Sequence, residues 1–286
     1  MAELRHRWPP ISQVPGWMPR AGLLLLPLLL CFGPETAGSI DPAALKAIVD
    51  HIHQYQPQYV VNYAVAMSLP WSMCKEASSS ELQRHLPVTE LKDMKSQLEK
   101  GTLFEGDHIV AAKPDKSASP PEHPEWQMFK LDQNGVSPIS RLLDKTRRQS
   151  QCPETTALGE EHGSNRYTNW YQSNPCRWDR CFIYFTNFSP CLGTCLSLKK
   201  DHCIQQLMDG IFGGIDKDLR ALAFKKLYKE AIPDGKQFIW NSWQTLCKVP
   251  FYKCNDQDCH SCAEKDVNTN LCLKEEKTQP RPDHAG

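Results

Sequence analysis

The sequence predicts an α/β domain that is followed by a cysteine-rich tail. Strand-like and helix-like apolar patterns alternate over roughly 200 residues, which is typical of one α/β domain. The strongest strand pattern, Cys181–Phe188, runs directly into the segment Ser189-Pro190-Cys191. From Phe251 onward the chain is polar and without periodicity, and it carries Cys254, Cys259, Cys262 and Cys272. We expect cross-links rather than apolar burial to order this last segment.

The overall composition narrows the class of protein. The chain has 286 residues, with 33 basic and 33 acidic side chains and a formal charge of zero. Its 8 Trp, 8 Tyr and 10 Phe exclude disorder over the whole length, because disordered chains lack aromatic residues. A nucleic-acid partner is not supported by the charge, since such proteins usually carry a basic excess.

The amino terminus predicts secretion. Arg5, Arg7 and Arg20 precede the apolar run Ala21–Phe32, and small residues follow up to Gly38. The run is shorter than the ~20 residues of a membrane span. The pattern is typical of a signal peptide over residues 1–38, with a buried helix or an uncleaved signal anchor as the alternative. A cleaved chain is secreted and has no stable membrane anchor.

Cleavage would also decide the fate of the cysteines. Removal of residues 1–38 takes Cys31, one of 13 cysteines, and leaves twelve in an oxidising compartment. Disulfides are then the expected state of most of them. For the tail we predict that Cys254, Cys259, Cys262 and Cys272 are bonded, with Cys247 as a further partner.

Local patterns predict the elements in chain order. Asp41 followed by Pro42 predicts the start of a helix over residues 41–56. The patterns then predict a strand (59–69), a polar connector with one helix (75–104), a short strand (108–113), a surface loop (116–124) and a capped helix (137–145). After the strand 181–188 they predict a helix with apolar positions from Leu196 to Phe212 and closed by Gly213-Gly214, a segment that suits either a strand or a helix (219–229), and a helix (234–246). The predicted organisation is a signal peptide (1–38), a domain (39–250) and a tail (251–286).

The cysteines that follow the strand 181–188 form the candidate chemical motif. If a helix begins there, Cys191 and Cys195 share a face, with Cβ atoms ~5–6 Å apart. A disulfide needs Cβ atoms ~3.5–4.5 Å apart, so the pair suits a shared metal better than a bond to each other. The alternative is that each cysteine bonds to another one, such as Cys176, Cys181 or Cys203.

The segment Phe182–Cys191 resembles the strand that delivers the cysteine pair in the zinc-dependent cytidine deaminase-like superfamily. That family combines His-x-Glu with a Pro-Cys motif and a second cysteine two to four residues later. Here His162-Gly163-Ser164 is followed by 25 residues and then by Pro190-Cys191 and Cys195. The resemblance covers roughly residues 45–247. It implies a three-layer sandwich, a mixed sheet with helices on both faces.

The same resemblance implies a zinc site, and one position of the motif argues against catalytic activity at that site. It places zinc on His162, Cys191 and Cys195. The family's proton-carrying glutamate falls on Ser164, and a hydroxyl cannot replace a carboxylate base near neutral pH. The sequence therefore predicts a secreted deaminase-like pseudoenzyme with little or no deaminase activity. An active deaminase that uses another base is a further possibility.

A different class of function stays open beside this one. A disulfide-stapled extracellular interaction protein without metal would use the same cysteines only as cross-links. Its partner would be an extracellular protein or a small molecule that the sequence does not identify. Zinc content of the purified protein separates the two hypotheses.

Overall fold

The structure is a computed structural model that describes residues 40–149, 179–228, 235–246 and 249–274. Within these residues seven strands form one mixed sheet in the order β2-β3-β1-β4-β5-β6-β7. The strands are β1 (Ala64–Pro70), β2 (Leu103–Glu105), β3 (Ile109–Ala112), β4 (Arg180–Phe188), β5 (Arg220–Lys226), β6 (Phe251–Cys254) and β7 (Cys259–Ser261). The helices are α1 (Pro42–His53), α2 (Trp71–Lys75), α3 (Ser79–His85), α4 (Val88–Lys100), α5 (Pro124–Phe129), α6 (Pro138–Gln149), α7 (Gln205–Gly213) and α8 (Lys236–Gln244).

Strand direction brings three strand ends to one edge of the sheet. β1 lies antiparallel between β3 and β4, so that Ala64 pairs with both Ala112 and Thr186. β4 and β5 are parallel, and Phe188 pairs with Lys226. The carboxyl ends of β3, β4 and β5 therefore meet at the same edge. In open α/β sheets, ligand sites lie beyond such ends.

The core occupies both faces of the sheet. On one face, alternate strand residues such as Phe182 and Phe224 pack with side chains of α5, α6, α7 and α8, including Phe212. On the other face Ile183 packs with side chains of α1, including Ile48. Strand residues alternate between faces, and two covered faces bury nearly all of them. The three-layer α/β fold predicted from the sequence is confirmed.

Most predicted elements are present with shifted ends. Asp41 accepts hydrogen bonds at 2.9 Å from the amides of Ala43 and Ala44, which caps α1 as expected. The predicted strand 59–69 begins only at Ala64, because Tyr59 is 99% exposed and has a φ of 60°. The connector 75–104 holds α3, α4 and β2 rather than one helix.

Two corrections concern the segments near the carboxyl edge. The predicted loop 116–124 ends one residue early, since α5 begins at Pro124. No helix begins at the cysteine pair: Cys191–Cys195 lie in turns, and α7 starts at Gln205. The two cysteines therefore meet through a turn and not through a shared helical face.

The cysteine-rich tail is continuous with the sheet. β6 pairs with β5 and β7 pairs with β6, so the tail extends the sheet at one end. Cys254 bonds to Cys259 and Cys262 bonds to Cys272, which confirms that all four are oxidised. Cys247 lies outside the described residues. A third disulfide, Cys74–Cys181, joins α2 to β4.

The amino-terminal prediction falls on residues that the structure does not describe. The signal peptide 1–38 lies outside the described residues, and the predicted domain boundaries stay predictions. Of the helices that the structure describes, none is long and apolar enough to cross a membrane.

Candidate metal centre

Three side chains with metal-ligand chemistry converge at the carboxyl edge of the sheet. The Sγ atoms of Cys191 and Cys195 are 3.3 Å apart. The Nδ1 atom of His123 lies 3.7 Å from the Sγ of Cys191 and 3.4 Å from the Sγ of Cys195. Both cysteines are buried, and the histidine is partly buried. Among the described residues, only this cluster brings three potential ligand atoms close enough together to share one ion.

Main-chain hydrogen bonds hold the cysteine turn. The amide of Cys195 donates to the Sγ of Cys191 at 3.3 Å, and the amide of Ile204 donates to the carbonyl of Cys195 at 2.9 Å. Before the turn, the amide of Ser189 donates to the carbonyl of Lys226 at 2.8 Å, and the hydroxyl of Ser189 accepts from the amide of Tyr228. The turn is thus anchored to the end of β5.

A closed loop after β3 brings in the histidine. Asp115 and Glu122 exchange two main-chain hydrogen bonds of 2.9 Å, so the intervening residues fold back on themselves. His123 follows in an extended conformation as the cap residue of α5, and proline at the next position favours a helix start there. The Nε2 of Gln127 donates to the carbonyl of Lys113 at 2.6 Å, which fixes α5 against the end of β3.

Glu125 is a buried carboxylate two residues after the histidine. Only 3% of the residue is exposed. Its Oε1 accepts a hydrogen bond of 3.1 Å from the hydroxyl of Thr186 on β4. Its Oε2 has no hydrogen-bond partner among the described residues. Burial raises the pKa of Glu125, against the lowering effects of its own amide, the charge of His123 and Thr186.

Apolar and aromatic groups close the site. The Tyr184 ring on β4 packs against Phe129 at 5.4 Å between centroids. The Tyr184 hydroxyl is also buried and without a partner among the described residues. Trp126, next to Glu125, stacks on His202 at 4.9 Å.

The donor set fits zinc. Two thiols and one imidazole are the ligands of several catalytic zinc sites, which keep a fourth position open for a reactant. Tetrahedral bonds of ~2.3 Å to sulfur and ~2.0 Å to nitrogen separate donor atoms by about 3.5 to 3.8 Å. The three observed separations, 3.3, 3.4 and 3.7 Å, are close to those values. The hydrogen bond with Cys195 also lowers the pKa of Cys191 to about 4, against the opposing effect of burial.

The structure places the predicted site residues unequally. Cys191 and Cys195 lie together, with their Sγ atoms 3.3 Å apart. His162 and Ser164 lie outside the described residues, so their roles stay predictions. Neither His123 nor Glu125 was predicted as a site residue, although His123-Pro124-Glu125 contains the His-x-Glu pattern. The family spacing of about 25 residues between the motif and the cysteines pointed to His162, whereas His123 lies 68 positions before Cys191.

The structure also reduces the number of cysteines that could form a disulfide with Cys191 or Cys195. Cys181, one proposed partner, bonds to Cys74. Within the described residues, Cys191, Cys195 and Cys203 form no disulfide. Cys176 lies outside the described residues.

Comparison with known proteins identifies one family. A family model described as "Secreted Novel AID/APOBEC-like Deaminase 1" matches residues 42–154 and 148–276, which is most of the chain. No curated protein and no solved structure shows significant similarity to the chain. The matched region contains every strand of the sheet and all three residues of the His/Cys cluster.

Proposed function

We propose that this chain, which belongs to the secreted AID/APOBEC-like deaminase family, is a zinc-dependent hydrolytic deaminase whose site consists of His123, Cys191, Cys195 and Glu125. Membership makes it a secreted protein with a deaminase-like fold. The zinc and the activity are the proposal. The observation that carries it is the buried Glu125 carboxylate beside a His/Cys/Cys cluster, with one oxygen without a partner among the described residues.

The proposed reaction replaces the exocyclic amino group of a cytosine-type base by oxygen. Water and the amino compound give the carbonyl compound and ammonia, so no oxidant or reductant is needed. Zinc held by His123, Cys191 and Cys195 would supply a nucleophile by lowering the pKa of water toward ~7. The protein must still move a proton from that water to the base and then to the leaving ammonia.

Glu125 is suited to this proton transfer. Its Oε1 is held by Thr186, while its Oε2 is available to exchange a proton. The carboxylate accepts the proton of the attacking water, gives it to the ring nitrogen and then assists departure of ammonia. A positioned general acid–base of this kind contributes ~10²–10⁴-fold to the rate. Its buried surroundings limit competition from bulk water.

A proton carrier at Glu125 and one at position 164 lead to different results in an activity assay. If Ser164 occupied the position of the proton carrier, the zinc-loaded protein would release no ammonia. If Glu125 carries the proton, Ser164 is irrelevant to the chemistry. The two residues can therefore be tested side by side.

The experiment measures ammonia release by the secreted full-length protein, loaded with zinc, from cytidine, adenosine and single-stranded DNA. We expect turnover of at least one cytosine-containing substrate. Glu125→Gln should lower kcat by ~10²–10⁴-fold with unchanged zinc content, since the amide keeps the shape but not the proton-carrying group. The matched control is Glu122→Gln, which alters a carboxylate of the same loop that pairs with Lys130.

The outcomes of these assays distinguish the hypotheses. Retained activity in Glu122→Gln together with loss in Glu125→Gln supports the proposal. A zinc-loaded wild type that is inactive, and that becomes active as Ser164→Glu, would contradict it and support the Ser164 prediction. Protein without zinc would favour the metal-free interaction protein.

A further inference from the structure

The Sγ atoms of the two cysteines of the candidate metal centre have a separation close to that of a zinc-bound pair and larger than that of a disulfide. Their Sγ atoms are 3.3 Å apart. A disulfide needs ~2.05 Å, so the sulfurs must approach by little more than ~1 Å. Because Cys191 and Cys195 lie in turns and not in an α-helix, the rigid spacing of a helical face does not keep them apart.

The rest of the chain shows that closely spaced cysteines of this protein can be oxidised. Cys254 and Cys259, five positions apart, form a disulfide, and Cys262 bonds to Cys272. The chain belongs to a secreted family, so the same oxidising surroundings reach the pair. The pair therefore needs something that keeps it reduced.

Both cysteines are buried, and Cys191 is the more exposed of the two residues. Cys191 is 6% exposed and Cys195 is 1% exposed. The partly buried His123 is the third member of the cluster. We therefore assign the first attack to Cys191, the more exposed residue, and the second to Cys195, whose Sγ lies 3.3 Å away.

From these observations we infer that Cys191 and Cys195 are a reversible oxidation site for a low-molecular-weight disulfide of the glutathione class, and that bound zinc and the Cys191–Cys195 disulfide exclude each other. The inference rests on the zinc site of the proposed function. It adds that metal loading, and not the thiol chemistry alone, determines whether the secreted protein keeps a working site.

The reaction balances with the small disulfide as oxidant. The Cys191 sulfur attacks one sulfur of the oxidant, forms a mixed disulfide and releases one small thiol. The Cys195 sulfur then attacks the Cys191 sulfur and releases the second small thiol. The two cysteines lose two electrons and two protons, and the oxidant becomes two thiols. Excess thiol reverses both steps.

Exclusion follows from the ligand chemistry. Zinc is bound by thiolate sulfur, and a disulfide sulfur has no thiolate to offer. Of the three cluster members, only His123 would keep its donor atom after oxidation. A single imidazole cannot hold zinc at the affinity of a three-ligand site.

The test uses metal-free full-length protein incubated with glutathione disulfide, followed by peptide mapping without reduction. We expect a Cys191–Cys195 disulfide, with loss of two hydrogen atoms, and at least a tenfold slower formation when zinc is added first. The oxidised protein should take up zinc only after reduction with excess glutathione. Throughout, mapping should find Cys74–Cys181, Cys254–Cys259 and Cys262–Cys272 intact.

Two variants keep the test specific. Cys203→Ser removes the third cysteine that is free within the described residues and should leave the new disulfide unchanged. Cys195→Ser should stop the reaction at a glutathione adduct on Cys191. Free thiols at Cys191 and Cys195 after prolonged oxidation, or equal oxidation with and without zinc, would overturn the inference. These readouts do not require deaminase activity, so an inactive protein refutes the proposed function alone.

Discussion

Two pairs of cysteines with nearly the same spacing have different states in this protein. Cys254 and Cys259 are five positions apart and form a disulfide. Cys191 and Cys195 are four positions apart, and their sulfurs lie 3.3 Å from each other without a bond. Composition and spacing therefore do not decide whether a cysteine pair is a cross-link or a ligand pair.

The backbone that carries each pair explains the difference. Cys254 and Cys259 face each other across the β6–β7 hairpin, with Cα atoms 4.0 Å apart. Cys191 and Cys195 lie in a turn that is hydrogen-bonded to the end of β5, and His123 lies within 3.7 Å of both sulfurs. A third donor beside a pair of thiols favours a metal ligand set, whereas strand pairing favours a cross-link.

The largest expected effect is on zinc content, which should differ between variants of the two cysteine pairs. Cys195→Ala should reduce bound zinc from about one ion per chain to nearly none, because one of three ligands is lost. The double variant Cys254→Ala/Cys259→Ala should keep its zinc but lose ~2 kcal/mol of stability. Elemental analysis and denaturant unfolding of both variants check this. Zinc retained in Cys195→Ala would refute the ligand assignment.

A second comparison concerns the disulfides alone. Cys74 and Cys181 are 107 positions apart, while Cys254 and Cys259 are 5 apart. The cost of closing a loop in the unfolded chain grows with its length, so replacing the first pair by alanine should cost ~4–5 kcal/mol and the second pair ~2 kcal/mol. Urea unfolding at equal protein concentration measures both. Equal losses would show that native packing, and not loop closure, dominates.

A third prediction concerns the carboxylate that accompanies the unbonded pair. Thr186 donates a hydrogen bond to the Oε1 of Glu125, so in the proposed mechanism it would act as a positioning residue. Thr186→Val should lower kcat by about tenfold, equivalent to ~1.4 kcal/mol, with little change in KM or zinc content. Thr186→Ser, which keeps the hydroxyl, should restore most of the rate. A change confined to KM would contradict the positioning role.

The smallest expected effect is a pH dependence that involves neither cysteine pair. Burial lowers the pKa of His53, and the charge of Lys225 adds to this. As the pH falls below 6.5, the usual pKa of histidine, His53 binds a proton in the unfolded chain but stays neutral in the folded protein. The free energy of unfolding therefore decreases. His53→Gln should flatten this decrease between pH 7 and pH 5. Thermal unfolding of metal-free protein measures it, and an unchanged slope would contradict the assignment.

Several features of the fold were readable from local patterns. The apolar run of β4 predicted a strand directly before Ser189-Pro190-Cys191, and Asp41-Pro42 predicted the start of α1. A polar segment with four cysteines predicted disulfides in the tail. Each of these features depends on residues close together in the chain, where period and capping chemistry act.

The identity of the site's histidine and carboxylate depends on strand order. His123 and Cys191 are 68 positions apart and meet because β1 lies between β3 and β4 with Ala64 paired to both. The folded-back loop closed by Asp115 and Glu122 then brings His123 to that edge. Local periodicity carries no information about which strands become neighbours. The sequence therefore predicted only a surface loop at His123 and Pro124. That Cys191 and Cys195 lie unbonded beside a third donor is likewise a matter of tertiary structure, because it depends on the distance to His123 and not on cysteine spacing.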